Sequence, residues 1–390
     1  MMDPTISGSS KTSIFPLLYL TSITLFLYLL QTLVSDHLTL RNDRITLKKQ
    51  PDLPLRFRAD GTFKILQVAD LHYGNGIVTR CRDVLPSEFD TCSDLNSILF
   101  LKRMIEAEKP DFVAFTGDNI FGSSASDAAE SMFEVFGPVM ESRLPWAAIL
   151  GNHDQESTMT RQELMFFISL MDYSVSQTNP SSNNTIDGFG NYNLEILGPS
   201  GTHLANQSIL NLYFLDSGDR AIVGGIRTYG WIKESQLNWL HGVSKSFHQE
   251  QQRIEEGFCP PPALAFFHIP ILEMRGATDI VGHYAEYVAS SIVHSGVLES
   301  FVRMGDVKGV FMGHDHTNDF CGKLGGIWFC YGGGFGYHGY GKAGWPRRSR
   351  VIMAELGNKG GKIGVEKIRT WKRLDDLRLS KIDEQVLWER

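Results

Sequence analysis

No two cysteines in this 390-residue sequence stand at CxxC spacing, so the five at positions 81, 92, 259, 321 and 330 do not make a Cys/Cys zinc site. An excess of positive charge is missing as well. The formal net charge is −7 and the pI about 6.0, which leaves no basic footprint for a phosphate-backbone binder and excludes nucleic acid as the main partner. There is no internal repeat and no low-complexity tract, which excludes a repeat architecture. What is present is a globular composition: 42% hydrophobic residues over a length that suits one large domain or two ordinary ones.

Charge is absent altogether from Ile14 to Val34. This run, preceded only by Lys11 as a basic group, reads as a membrane-targeting segment. A signal peptide ending near Ser35 competes with an uncleaved signal-anchor, because the run is long for a cleaved core and just long enough to span a bilayer. Either way the chain is expected in the secretory pathway: secreted, or single-pass with its catalytic domain lumenal or extracellular. Sequons at Asn183 and Asn206 suit such a location and are the expected glycosylation sites. In an oxidising compartment Cys81 with Cys92 and Cys321 with Cys330 are close enough to close short loops and leave Cys259 odd, although spacing alone does not determine pairing. Residues 36–62, polar and basic with prolines at 51 and 54, read as a linker, and the charged stretch from Leu374 to Arg390 reads as a solvated helix.

Between these ends the pattern is α/β. An apolar strand, Phe63 to Val68, precedes a helix from Leu95 to Glu108 whose apolar residues recur at helical spacing until Pro110 closes it. Strands at 112–115 and 146–150 follow, with a helix from about Ser126 to Met140 between them. Further strands are expected at 192–196, 209–215, 263–267, 309–312, 327–331 and 351–356. Helices are expected near 161–171 and from Glu234, and a polar surface loop at 174–191. Strand, helix, strand, helix, strand argues for a sheet whose loops gather on one edge.

The strand exits carry the chemistry. Asp70 and His72 follow the first strand, Asp118 the second, and Asn152, His153 and Asp154 the third; His268, then His314 and His316, follow two later ones. A lone Asp-x-His or Gly-Asp is an ordinary turn, and His268 alone would pass for a core histidine. Gly151-Asn152-His153-Asp154 and Gly313-His314-Asp315-His316, each behind an apolar strand, are more specific. Carboxylates, imidazoles and one amide form a mixed hard and borderline donor set suited to a pair of ions drawn from iron, zinc and manganese, and unsuited to calcium.

This series resembles the calcineurin-like metallophosphoesterases over about residues 63–356. The runs at 313–320 and 331–341 resemble the small plant purple acid phosphatases, including members classed as probable inactive, and the related fungal phosphatases. The resemblance implies a four-layer α/β (α+β) fold, a β-sandwich flanked by helices with the dimetal site on loops at the strand ends, in a domain spanning 63–370 with 371–390 as a tail. It implies that Asp70, His72, Asp118 and His316 hold one ion, that Asp118, Asn152, His268 and His314 hold the other, and that the chain forms a homodimer. Two departures stand out. Purple acid phosphatases proper have a tyrosine three positions after the bridging aspartate, where this chain has Phe121. They also lack a histidine at the position of His72. Exchange of a phenolate for a neutral imidazole favours a divalent pair over ferric iron.

The expected reaction is hydrolysis of a small phosphate monoester, acid phosphatase in type, by a metal-bridging hydroxide, with His153 as general acid oriented by Asp154. Asp315 is expected to support the neighbouring histidines, and Tyr337, His338 and Tyr340 to form walls. A catalytically weak or inactive relative that binds metal or phosphorylated ligand is the alternative from another class, prompted by Phe121; phosphodiesterase action shares all the motifs.

Overall fold

A computed structural model of the chain describes residues 15–38, 48–180, 185–251 and 260–390. Residues 15–38 form a helix, α1 (Phe15–Leu38), in a unit separate from the compact body of residues 48–390. Among the described residues no helix is long and apolar enough to cross a membrane. The sequon at Asn183 and the odd Cys259 lie outside the described residues, and Asn206 is exposed on a turn.

In chain order the body contains β1 (Thr62–Val68), α2 (Leu95–Glu108), β2 (Phe112–Thr116), α3 (Ala128–Glu141), β3 (Trp146–Ile149), α4 (Arg161–Leu170), β4 (Tyr192–Leu197), β5 (Ser208–Phe214), β6 (Arg220–Val223), β7 (Ile226–Tyr229), α5 (Glu234–Gln251), β8 (Ala263–Phe266), β9 (Thr278–Val281), α6 (Val297–Met304), β10 (Val307–Met312), β11 (Cys321–Leu324), β12 (Ile327–Tyr331), β13 (Arg348–Lys359), β14 (Lys362–Leu374) and β15 (Lys381–Glu389). The helices follow local rules. α2 buries Phe100, Leu101 and Met104 and stops where Lys109 turns left-handed before Pro110. α4 starts at a Thr160–Glu163 capping box.

Two mixed sheets pack against each other. One has six strands in the order β15-β14-β13-β1-β2-β3, the other seven in the order β4-β5-β8-β10-β12-β11-β9, and β6-β7 is a separate hairpin. β1, β2 and β3 run parallel in the first sheet, and β5, β8, β10 and β12 in the second. Buried Phe112 and Phe214 meet edge to face across the interface. Near the carboxyl ends, the Gln67 amide of β1 donates to Thr116 Oγ1 in its own sheet and to Met312 O in the other, 3.1 Å each, so the two sheets are joined immediately beneath their loops.

The ends of the body differ from the sequence reading. The expected linker is partly core: Leu55 and Phe57 are buried, and Phe57 N donates to Leu197 O. The expected C-terminal helix is β15, an edge strand antiparallel to β14; β14 offers it a free backbone edge, and that pairing overrides the charged composition. Both short-range disulfides are present, Cys81–Cys92 and Cys321–Cys330, the second between directly opposed residues of β11 and β12.

The C-terminal strands reach the inner loops through Asp319, which is fully buried. Its carboxylate accepts from Arg348 and the amide of His283 and pairs with Lys372, its carbonyl accepts from Arg350, and Lys372 also meets Asp383 of β15. Burial alone would raise the Asp319 pKa, but Lys372 and Arg348 outweigh it and hold the carboxyl below its ordinary value. The unfolded chain then takes up this proton more readily. The contribution is complete above about pH 4, the unfolded value, and is lost as pH falls through the folded one. Asp319→Ala is expected to cost about 3–5 kcal/mol, because it leaves buried cations unpaired, and to flatten the dependence of stability on pH below about 4. Urea denaturation at a series of pH values reads both effects.

Candidate metal centre

Five strand ends converge above the Gln67 link. β1, β2 and β3 deliver Asp70 and His72, Asp118, and Asn152; β8 and β10 deliver His268, and His314 with His316. The turns are unusual. Asp70, His72, Asp118 and His314 all have left-handed backbone, with φ of 57°, 51°, 49° and 82°. Such geometry costs of order 1–3 kcal/mol per non-glycine residue and persists only where surrounding bonds over-determine it. Here they do: Asp70 N and His72 N donate to Gly117 O and Asp118 O, and His314 N donates to Asp70 Oδ1 at 2.8 Å. The glycine-rich run lies against the first turn, with Phe335 N and Gly336 N donating to Ala69 O and Asp70 O, and a Cβ on Gly336 would collide with Leu71 O.

The donors form two groups. Asp70, His72 and His316 bring ligating atoms within 4.8 Å of one another, and so do Asp118, His268 and His314. Asp118 Oδ2 lies between the groups, 3.4 Å from His72 Nε2 and 3.2 Å from His268 Nε2. All six residues and Asn152 are buried, yet Asp70 Oδ2, both nitrogens of His72, Asn152 Oδ1 and His314 Nε2 have no hydrogen-bond partner. Buried polar atoms are rarely left in this state, and one such atom from each of these four residues fits a pair of cations. His268 and His316 donate from Nδ1 to Thr116 O and Tyr340 O, the backing that leaves Nε2 for an ion.

The electrostatics agree. Burial pushes His72 and His314 well below the ordinary histidine value, and His316 down to about 3, so these rings are the neutral form that ligates. Burial pushes Asp70 well up. Asp118 is held well down: burial opposes this, but the charge and hydrogen bond of His268 prevail, and His268 is raised in turn. An ion held there would compete with the proton on His268.

His153 is the one site histidine that is partly exposed, its side chain 23% accessible. Its amide donates to Asp118 Oδ1, and its ring looks into a cavity of about 230 Å³ walled by Phe121, Tyr229, Tyr340 and the ligands. Asp154 does not orient that ring. It is buried, accepts from the amides of Asp118, Ile120 and Gly151 and from Asn119 Nδ2, and so ties the second and third turns together; burial and Asp118 raise its pKa to about 6. The residue against the imidazole is Glu156, its Oε2 2.8 Å from Nδ1, and the Arg220 guanidinium lies 3.3 Å from both ring nitrogens. The short 3₁₀ turn at 154–156 brings Glu156 to His153, a signal readable in the i,i+3 spacing; Arg220 and Tyr229 come from the unforeseen β6–β7 hairpin and have no local signal.

Other expected roles shift. Asp315 accepts from Tyr331 OH and Ala289 N, and among the described residues its carboxylate has no hydrogen bond to a site histidine. Of the expected wall residues, Tyr340 stacks on His316 at 3.9 Å, whereas Tyr337 bonds Asp375, and His338 bonds Ser124 and Arg80 O.

A model of the calcineurin-like phosphoesterases matches residues 63–318, the span that holds every one of these donors. The chain belongs to that family. This calcineurin-like phosphoesterase is 60% identical over 95% of its length to "Probable inactive purple acid phosphatase 28" of Arabidopsis thaliana, covering 95% of that protein, and 34% identical over 81% of its length to the Saccharomyces cerevisiae phosphatase DCR2, covering 54% of it. Among solved structures it matches a dimetal phosphatase from Danio rerio over 84% of its own length and 99% of that chain, at TM-score 0.52 and 16% identity. It matches a purple acid phosphatase from yellow lupin over 85% of its length and 54% of that chain, at TM-score 0.51 and 10% identity. Those two likenesses are of fold.

Gly151 has no room for a side chain: a Cβ there would strike both Asp118 Oδ1 and the Asp118 amide. Gly151→Ala and Asp118→Asn are each expected to lose most bound metal after dialysis, by elemental analysis. Gly137→Ala, on an α3 position with nothing within 4 Å, is expected to retain it.

Proposed function

We propose that the chain hydrolyses phosphate monoesters with a pair of divalent ions, and that His153 protonates the leaving group. The observation that carries this is the single Asp118 oxygen that belongs to one three-residue group and lies 3.4 Å from His72 Nε2 of the other, with a partly exposed histidine beside it. Asp70, His72, Asp118 and His316 would hold one ion, and Asp118, Asn152, His268 and His314 the other. The mixed nitrogen and oxygen donors suit iron, zinc or manganese. When bound, such a pair brings the pKa of a water toward neutrality and offsets phosphoryl charge.

The chain's own residues supply the rest. In the hydrolysis a bond forms from water oxygen to phosphorus, and the bond from phosphorus to the ester oxygen breaks. With Nδ1 donating to Glu156, Nε2 is the atom of His153 that gives its proton to the departing alkoxide. Arg82 faces the cavity across the Phe121 ring, 4.9 Å from its centre, and supplies a cation for phosphoryl oxygens. Phe121 does not empty a ligand position, because His72 occupies the first group and the phenyl ring packs 5.4 Å from it.

The second reading, metal binding without turnover, is favoured by the names of the Arabidopsis thaliana relatives. The apolar N-terminal run and the two disulfides support a secretory location for either reading.

Purified protein reconstituted separately with iron, zinc and manganese is expected to hydrolyse 4-nitrophenyl phosphate faster than the corresponding diester. His153→Ala is expected to lower kcat about 10²-fold or more on an alkyl phosphate and by less on the nitrophenyl ester, whose leaving group needs no proton. Glu156→Gln should keep bound metal and shift the pH profile. Stoichiometric metal with no turnover on any ester would establish the second reading instead.

A further inference from the structure

We propose that the β6–β7 hairpin is the leaving-group subsite of this centre, and that the group it takes is an apolar or aromatic body carrying its own anionic substituent, which meets Arg227. The inference rests on the hydrolase reading for the term "leaving group", but the binding it describes does not need turnover.

The register places four side chains on one face. Arg220 opposes Tyr229, and Ile222 opposes Arg227; directly opposed residues and those two apart on a strand share a face. That face looks into the metal centre, because Tyr229 meets the His314 ring edge-on at 4.4 Å and Arg220 lies against His153. The opposite face is already engaged: Thr228 Oγ1 accepts from Ile292 N at 3.0 Å. His153 donates its proton at the ester oxygen, so whatever is attached to that oxygen extends along Arg220 and Tyr229. Two residues further out, roughly 7 Å along the strands, stand Ile222 and Arg227.

A cavity of about 530 Å³ follows this hairpin, lined by Arg220, Ile222, Arg227 and Tyr229 of the site-facing side and also by Ala221 and Thr228 of the other, and Tyr229 lines the metal cavity as well. Its lining defines the ligand. Ile222 is 72% exposed, an apolar surface without cover. The charge of Arg220 is met by Glu156 at 2.7 Å. Arg227 has no carboxylate or hydrogen-bond partner among the described residues, and is therefore the cation available to a ligand. A bare phosphate, or the ester of a small neutral alcohol, would leave both Ile222 and Arg227 unused.

The test is titration calorimetry of the metal-loaded full chain with two non-hydrolysable ligands, benzylphosphonate and 4-carboxybenzylphosphonate. Wild-type protein is expected to prefer the carboxylated ligand about five-fold, the scale of one exposed charge pair. Arg227→Ala should abolish that preference and Arg227→Lys should keep part of it, while Arg82→Ala should weaken both ligands and preserve the preference. Ile222→Ser should weaken both ligands by the same factor. Equal affinity for the two ligands in the wild type, binding of neither, or a preference that survives Arg227→Ala would each overturn the proposal. Hydrolysis of phenyl phosphate by the same preparation reports separately on the catalytic reading: preference without turnover retains the subsite and removes that reading, and turnover without preference does the reverse.

Discussion

One buried carboxylate governs this structure. Asp118 sits between two groups of imidazole and carboxylate donors, in a left-handed turn, with Asp154 bonded to its amide and the His153 amide bonded to its side chain. An isolated charge at such depth would be prohibitively unfavourable. It is retained because two sheets bring opposite partial and full charges to within hydrogen-bonding range of it, and because the unpartnered atoms around it are arranged for cations. The strained turns at Asp70, His72 and His314 have the same origin: the donors must point inward, and the glycines beside them leave the room to do so.

The rest of the body holds those turns in place. Gln67 joins the sheets below the site, the glycine-rich run presses on the Asp70–His72 turn, and Asp319 couples the loop after His316 to β13, β14 and, through Lys372 and Asp383, to β15. The last strands are therefore structural to the centre although they contribute no ligand. Asp154, placed where a catalytic partner for His153 would be expected, turns out to belong to this scaffold. Its two oxygens are used up on backbone amides, and Glu156 takes the position beside the ring.

Charge divides the site mouth. The ligands and Phe121 form the floor, Arg82 approaches from the loop that begins at the Cys81–Cys92 bridge, and the β6–β7 hairpin brings Arg220, Tyr229 and Arg227 from the other side. Names of relatives that mark them inactive stand beside a centre in which two groups of Asp and His donors fit a pair of metal ions.

The sequence by itself determined the strands that carry the candidate donors, most helix limits and the six Asp and His residues that the fold brings into two groups, because each depends on short-range order: an apolar run, a glycine, then polar side chains within four residues. It made bridges between Cys81 and Cys92 and between Cys321 and Cys330 possible, without choosing among connectivities. Only the tertiary structure decided that Asp118 lies between two groups, that Asp154 serves the backbone and Glu156 the imidazole, and that residues 381–389 are a strand. Those outcomes depend on which edges and loops become neighbours across large sequence separations. The hairpin with Arg220 and Arg227 was hidden for the same reason: eight strand residues around Gly224–Gly225 carry no sign of the site, and acquire one only when the fold sets them beside His153 and His314.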